Sequence, residues 1–316
     1  MEKEDGKSYV RGAKDMRVAV LMSTYNGERY IREQIESIVS QKGDFDLDLW
    51  VRDDGSSDST IRVLNEYQEK KKLRWYSGEN MGPGKSFIDL LYRVKGYDYY
   101  AFSDQDDVWL QGKIQKGIDL ICGCEKEALY FCNAEYVDQN LRPLGGTTYK
   151  NDVPTDYFSA ILNPGYLGCT MIFNAKLAAT IQSHSFPQVL FIHDAFVARV
   201  CAAVGGKIKY DKNTYIKYRQ HGNNVIGSTV GKNDAVKRRI KMILEKPKVG
   251  VADELRDLNE IYTDEIGIEQ KKWIDTIVNY KRSFWSKCEL AFSKKTNFTS
   301  YNMRITIALK ILLGNL

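Results

Sequence analysis

No stretch of this 316-residue chain approaches the roughly 18 uninterrupted apolar residues that a membrane-spanning helix needs. Histidine is scarce, with only His184, His193 and His221. The six cysteines form no C-x-x-C pair, and Cys122 and Cys124 are separated by one residue, a poor spacing for structural zinc. No apolar leader follows Met1, so a secreted disulfide framework is not expected; the thiols read as reduced, in a cytoplasmic protein. The formal charge of +5 is mild and no nucleic-acid-binding signature accompanies it, which argues against a nucleic-acid partner. Internal repeats and low-complexity tracts are absent as well.

What is present, 43% hydrophobic and 28% charged residues, describes a soluble globular chain long enough for one large domain or two modest ones. The first 15 residues are polar and expected to be disordered. From Met16 a strand–loop–helix plan repeats. "RVAVLMSTY" reads as a strand, Asn26-Gly27 as a turn, and Tyr30, Ile31, Ile35, Ile38 and Val39 recur at helical spacing. "DLDLWVRDD" and "TIRVLNEYQEK" repeat the pattern, followed by "LRWYS", "GKSFIDLLYRV" and "DYYAFSD". Such alternation predicts an α/β fold, a largely parallel sheet with helices on both faces. After about Lys126 the pattern is mixed. "ALYFCNAEYVD" and "CTMIFNA" read as strands, "AKLAATI" and "HDAFVARVCAAV" as helices, and "KIKYDKNTYIKYRQHG" as a hairpin with a long tail. From about Lys232 onward the sequence is helical and basic.

Three strand ends carry "STYNGE", "RDDGSSD" and "SDQDD", and ligands in open α/β sheets bind outside the carboxyl ends of the strands. Asp104 and Asp106 point the same way if the segment is extended, so both can face one cation. Carboxylates with few other ligands suit magnesium or manganese together with substrate phosphates. An acidic surface turn is the plainer alternative. Asp53 and Asp54 end another strand, where a carboxylate can accept hydrogen bonds from a base or a ribose; Asp58 or Ser59 reads as the cap of the next helix. "GPGKS" is not a P-loop, because the position that should hold its first glycine is Glu79. Asp194 stands at a helix start, either as an N-terminal stabiliser or as a base.

Six ordered blocks, "LMSTYNGERYIREQIESIVSQ", "VRDDGSSDST", "FSDQDDVW", "GCTMIFN", "HDAF" and "YRQHGNNVIG", together resemble bacterial family-2 glycosyltransferases of the GT-A fold. The wording "SDQDDVW" and "RQHGNN" is similar to rhamnosyltransferases of cell-wall and capsular polysaccharide synthesis. The resemblance implies a GT-A catalytic domain over 16–230, with a nucleotide-binding half at about 16–125 and an acceptor half at about 126–230. A basic helical region, 231–316, would follow. It also implies roles. Thr24, Tyr25, Glu28, Asp53, Asp54 and Asp104 would hold the donor; Asp104, Asp106 and His221 would bind Mn2+ or Mg2+. Asp194 would be the general base, and Asp107, Trp109 and His193 would contact acceptor or sugar. The expected reaction is metal-dependent, inverting transfer from dTDP-rhamnose to a hydroxyl of a cell-surface polysaccharide or lipid-linked saccharide. A UDP-hexose or UDP-HexNAc donor is one alternative, and a catalytically inactive nucleotide-sugar-binding protein is another. A metal-dependent phosphoesterase or nucleotidyltransferase is a third.

Between Lys271 and Leu316 nine Lys and Arg face only Asp275 and Glu289, a formal excess of seven positive charges. Trp273, Ile277, Tyr280, Phe284 and Cys288 make a helical stripe, and Ile305, Ala308, Leu309 and Leu312 make another. Two readings stand: the stripes lie on an anionic membrane at the inner face of the cell, or they pack on the catalytic domain or on a second copy.

Overall fold

The computed structural model describes residues 16–220 and 239–316. The disordered-segment expectation for residues 1–15 and the metal role for His221 therefore lie outside the described residues.

Arg17–Thr24 (β1) is buried along nearly its whole length, as a central strand covered on both faces must be. Its side chains alternate between two cores. Ala19 and Leu21 join Phe87, Leu90 and Phe102 on one face, while Val18, Val20 and Met22 join Ile31, Ile35 and Ile38 on the other. β1 pairs in parallel with Asp46–Asp53 (β2) and Tyr99–Ser103 (β4), and β2 pairs in parallel with Arg74–Ser77 (β3). Helices Ile31–Val39 (α1), Thr60–Glu69 (α2) and Pro83–Arg93 (α3) make the crossovers.

Beyond β4 the sheet continues through Ile172–Asn174 (β8), Ala128–Val137 (β6), Lys207–Arg219 (β9) and the edge piece Val108–Trp109 (β5); Pro143–Thr147 (β7) lies off this path on β6. Of these, β8 runs antiparallel to β4 and β6, β5 runs antiparallel to β9, and β6 and β9 are parallel. Helices Lys113–Ile121 (α4), Tyr157–Leu162 (α5), Ala175–Gln182 (α6) and His193–Ala203 (α7) complete the layers. The expected α/β architecture, mostly parallel and flanked by helices, is what the chain forms.

Two local expectations are corrected. "KIKYDKNTYIKYR" is one thirteen-residue strand and not a hairpin. Asp211 and Asn213 resemble a turn because they form one locally, Asp211 Oδ1 accepting from Asn213 N at 2.9 Å, but the turn is absorbed as a register shift against Cys132–Glu135. The strand expected at "CTMIFNA" starts late, because Gly168–Thr170 forms a 3-10 turn before β8.

The C-terminal helices are Val251–Ile261 (α8), Ile268–Val278 (α9), Phe284–Ala291 (α10) and Tyr301–Leu313 (α11). Leu255, Leu258, Tyr262, Trp273, Ile277 and Tyr280 are buried in the same core as Leu21 and Phe173. The first stripe thus packs against the α/β region as far as Tyr280, and fails at the exposed Phe284. A buried ion pair ties the two regions: Arg199 of α7 and Glu254 of α8 meet at 2.6 Å, and the second Glu254 oxygen accepts from Phe191 N. Among the described residues no helix is long and apolar enough to cross a membrane.

Candidate active site

The register places the three loop-bearing strand ends side by side. Thr24 lies opposite Asp53, and Met22 opposite Ser103, so the loops after β1, β2 and β4 leave one edge of the sheet together. Asn26 turns the first loop at a left-handed φ of 47°, a conformation asparagine tolerates better than most residues, and its Oδ1 accepts from Ser57 N at 2.8 Å. Glu28 accepts from Ser59 N at 2.8 Å and Asp58 from Glu28 N and Thr60 N, so loop one and the start of α2 are mutually stitched.

Gln105 performs the same service between loops one and three. It accepts from Thr24 Oγ1 at 2.5 Å and Tyr25 N at 3.0 Å, and donates to Tyr25 O. A side chain at Gly27 would run into Gln105, which explains why the turn carries glycine there. Gln105 lies inside the "SDQDDVW" block with no role expected of it; the pairing of strands far apart in the chain exposes that role. Tyr25 itself stands exposed at the rim.

The acids of the second loop face inward. Asp53 is fully buried and accepts from Gly55 N, Ser56 N and Ser77 Oγ. Asp54 pairs with the buried Arg52 and accepts from Met81 N and Gly82 N at 3.1 and 2.9 Å. Arg52 also donates to Ser86 Oγ, Asp89 and Glu79 O, so this network shapes the loop that opens α3.

The third loop carries the concentrated charge. Asp104, Asp107 and the Cys169 thiol offer ligand atoms that all lie within 4.8 Å of one another. Asp107 is fully buried, with Oδ1 accepting from Arg219 N at 3.1 Å and Oδ2 without a hydrogen-bond partner. Arg219 clamps the loop from β9, donating from Nε to Asp106 O at 2.7 Å and pairing with Glu33. Burial pushes the Asp104 carboxyl up to about 7, helped by the neighbouring charges of Asp106 and Asp194. Asp107 is raised by burial and then by Asp106 and Asp104. The structure therefore gathers Asp104, Asp106 and Asp107 and brings Asp194 within electrostatic reach of Asp104.

Asp194 sits in the first turn of α7, nearly buried, with Oδ2 accepting from Gly168 N at 3.0 Å. Burial raises its carboxyl to about 6 against the downward pull of the Ala195 and Gly168 amides. His193 points away from solvent. Its ring stacks on Phe87 at 4.0 Å and meets Phe102 edge-on at 5.0 Å, and burial holds it down to about 3, a neutral imidazole. Trp109 is likewise a core residue: its N donates to Ser37 Oγ and its ring lies 3.7 Å from the buried Lys113 ammonium.

Beside this centre are two adjoining hollows of about 470 and 810 Å³ that share Tyr149, Lys150, Asn151 and Thr299. The Tyr149 hydroxyl accepts from Leu167 N at 2.7 Å, one residue before the Gly168 amide that holds Asp194.

A consequence for stability follows from the gathered acids. The folded Asp104 keeps its proton to about pH 7 against an ordinary 3.8, so the metal-free protein loses stability as pH rises through that window. Asp104→Asn removes that loss, and in EDTA it should melt higher than wild type above neutral pH. A variant melting curve that tracks wild type at every pH would contradict the crowding of these carboxylates.

A twisted, mostly parallel sheet with acids massed at one edge is the frame of GT-A glycosyltransferases. The sequence pattern of glycosyl transferase family 2 matches residues 19–176. A dTDP-rhamnosyl transferase, RfbG of Shigella flexneri, is 31% identical over 239 residues, covering 69% of this chain and 77% of that one. Among solved structures, S. aureus TarS (residues 1–349) with UDP-GlcNAc superposes with a TM-score of 0.54 at 20% identity, covering 94% of this chain and 90% of that one. The Pyrobaculum calidifontis mannosyltransferase PcManGT with GDP-Man and Mn2+ gives 0.52 at 14% identity, covering 96% and 88%. This chain belongs to glycosyl transferase family 2 and is a glycosyltransferase.

Proposed function

We propose that the protein transfers rhamnose from dTDP-rhamnose to a hydroxyl of a growing cell-surface polysaccharide or lipid-linked saccharide, with inversion at the anomeric carbon. The observation that carries this reading is the clustering of Asp104 and Asp107 on the loop after β4, with Asp194 close enough for its charge to raise Asp104. The likeness to the Shigella rhamnosyl transferase favours dTDP-rhamnose as donor. A UDP-HexNAc donor is the second reading, favoured by the TarS complex with UDP-GlcNAc.

In this scheme Asp194 takes the proton of the acceptor hydroxyl as it attacks, a role suited to a carboxylate that titrates just below neutrality. With one base and no covalent nucleophile, the displacement is single and inverting. The acid loop fits a divalent cation: its carboxylates crowd one another, and a buried Asp107 oxygen has no hydrogen-bond partner. Asp104 and Asp106, together with Asp107 whose carboxylate lies near that of Asp104, would hold Mg2+ or Mn2+, which would supply neutralisation of the departing diphosphate. The Cys169 thiol, raised well above its ordinary value by burial and then by Asp107 and Asp104, stays protonated beside them. Thr24, Tyr25 and the stitched second loop position the nucleotide. The hollow along Tyr149 and Asn151 receives the acceptor, and the protein works in the cytoplasm.

A thermal-shift screen of dTDP-rhamnose, UDP-GlcNAc and GDP-mannose, with Mn2+ or EDTA, tests this. A bound donor at about 100 times its Kd stabilises by roughly 2.7 kcal/mol, and only dTDP-rhamnose with Mn2+ is expected to do so. An equal shift in EDTA would remove the metal from the scheme, and a shift only with UDP-GlcNAc would replace the donor.

A further inference from the structure

The last helices leave apolar side chains exposed that no other described residue covers. Trp285 is 79% exposed and Tyr301 77%, and Phe284, Phe292 and Leu313 are exposed with them. Phe284, Trp285 and Leu313 share one end of this helix pair. Lys287 Nζ donates to Leu312 O at 3.2 Å, and the Lys281 and Lys287 side chains flank Gly314, so the first turn of α10 lies beside the last turn of α11. That contact sets Phe284 and Trp285 near Leu313. Asn315 donates to Ile243 O and Leu244 O, which brings the exposed Leu244 to the same end. Monomeric proteins rarely leave contiguous apolar surface of this kind without a partner.

Charge decides between partners. From Tyr280 to Leu316 the only acid is Glu289, against Lys281, Arg282, Lys287, Lys294, Lys295, Arg304 and Lys310. A symmetric dimer through this face would set the same cations against their copies, a like-charge juxtaposition that interfaces avoid. An anionic lipid surface reverses the sign of that term: it attracts the lysines and arginines, while Trp, Tyr and Phe settle at headgroup depth.

We propose that the α10–α11 hairpin is a membrane-docking surface that seats the protein on an anionic bilayer, with Phe284 and Trp285 inserted and Arg282 and Arg304 against the lipid charge. The packing of Trp273, Ile277 and Tyr280 in the core limits the contact to this hairpin. The inference requires nothing of the transfer chemistry, so it stands or falls apart from the proposed function.

The test is co-sedimentation of the full chain with vesicles of equimolar phosphatidylglycerol and phosphatidylcholine, or of phosphatidylcholine alone. Wild type should partition onto the anionic vesicles at least about tenfold more strongly, and salt should weaken the binding. Phe284→Ser with Trp285→Ser, and separately Arg282→Glu with Arg304→Glu, should each reduce partitioning about tenfold or more. These side chains are exposed, so the variants should melt with wild type. Absent or lipid-indifferent binding, or variants that bind like wild type, would overturn the proposal. So would a concentration-dependent dimer in sedimentation velocity that the Phe284→Ser/Trp285→Ser variant abolishes; that result would assign the face to a second copy.

Discussion

Asp194→Asn is expected to reduce turnover about 10²- to 10⁴-fold, the usual contribution of a positioned base, while donor affinity stays within a few-fold. The substitution is nearly isosteric, and an amide oxygen can still accept from Gly168 N, so the start of α7 should remain in place. What it removes is the capacity to take a proton. Because burial raises the carboxyl to about 6, wild-type turnover should fall tenfold per pH unit below that value and be flat above it. The variant's residual rate should lack this limb. Single-turnover rates across pH, with donor binding measured in parallel, check both statements. A variant as active as wild type would move the base elsewhere.

Glu254→Ala should be the most damaging substitution outside the acid loops. Arg199 and Glu254 are almost wholly buried, and removing one partner of such a pair typically costs about 3–5 kcal/mol because the other charge is stranded. It also frees Phe191 N, two residues before α7. An exposed pair such as Arg17–Asp48 at 3.3 Å should cost less than about 1 kcal/mol by the same operation. Urea midpoints of the two variants give the comparison. If Glu254→Ala unfolds with wild type, α8 is not fixed to α7 in the way described.

The part of the fold from β1 to β4 was legible because its pattern is local. β1 and β4 are apolar runs, the helices between them show their own periodicity, and the acidic loops follow strand ends directly. What stayed hidden depends on partners distant in the chain. Gln105 reads as a loop residue until strand pairing carries it to Thr24 and Tyr25. Arg219 stands in the "RQHGNN" block without a role of its own until β9 lays it against Asp106 and Asp107. The Asp211–Asn213 turn is real, but the long pairing of β9 with β6 overrides it. The same limit applies to the basic tail. Helical spacing identifies its stripes, whereas tertiary packing decides that Trp273 and Tyr280 are inside and Trp285 outside.

The Arg199–Glu254 pair also bears on how the chain is made. Its members are 55 residues apart, so at ribosomal speeds of about 5–20 residues per second Arg199 emerges roughly 3–11 s before the carboxylate that neutralises it. During that interval the helix bearing Asp194 carries a lone cation into a half-built interior. Nascent chains should therefore keep this helix protease-sensitive until α8 has left the exit tunnel.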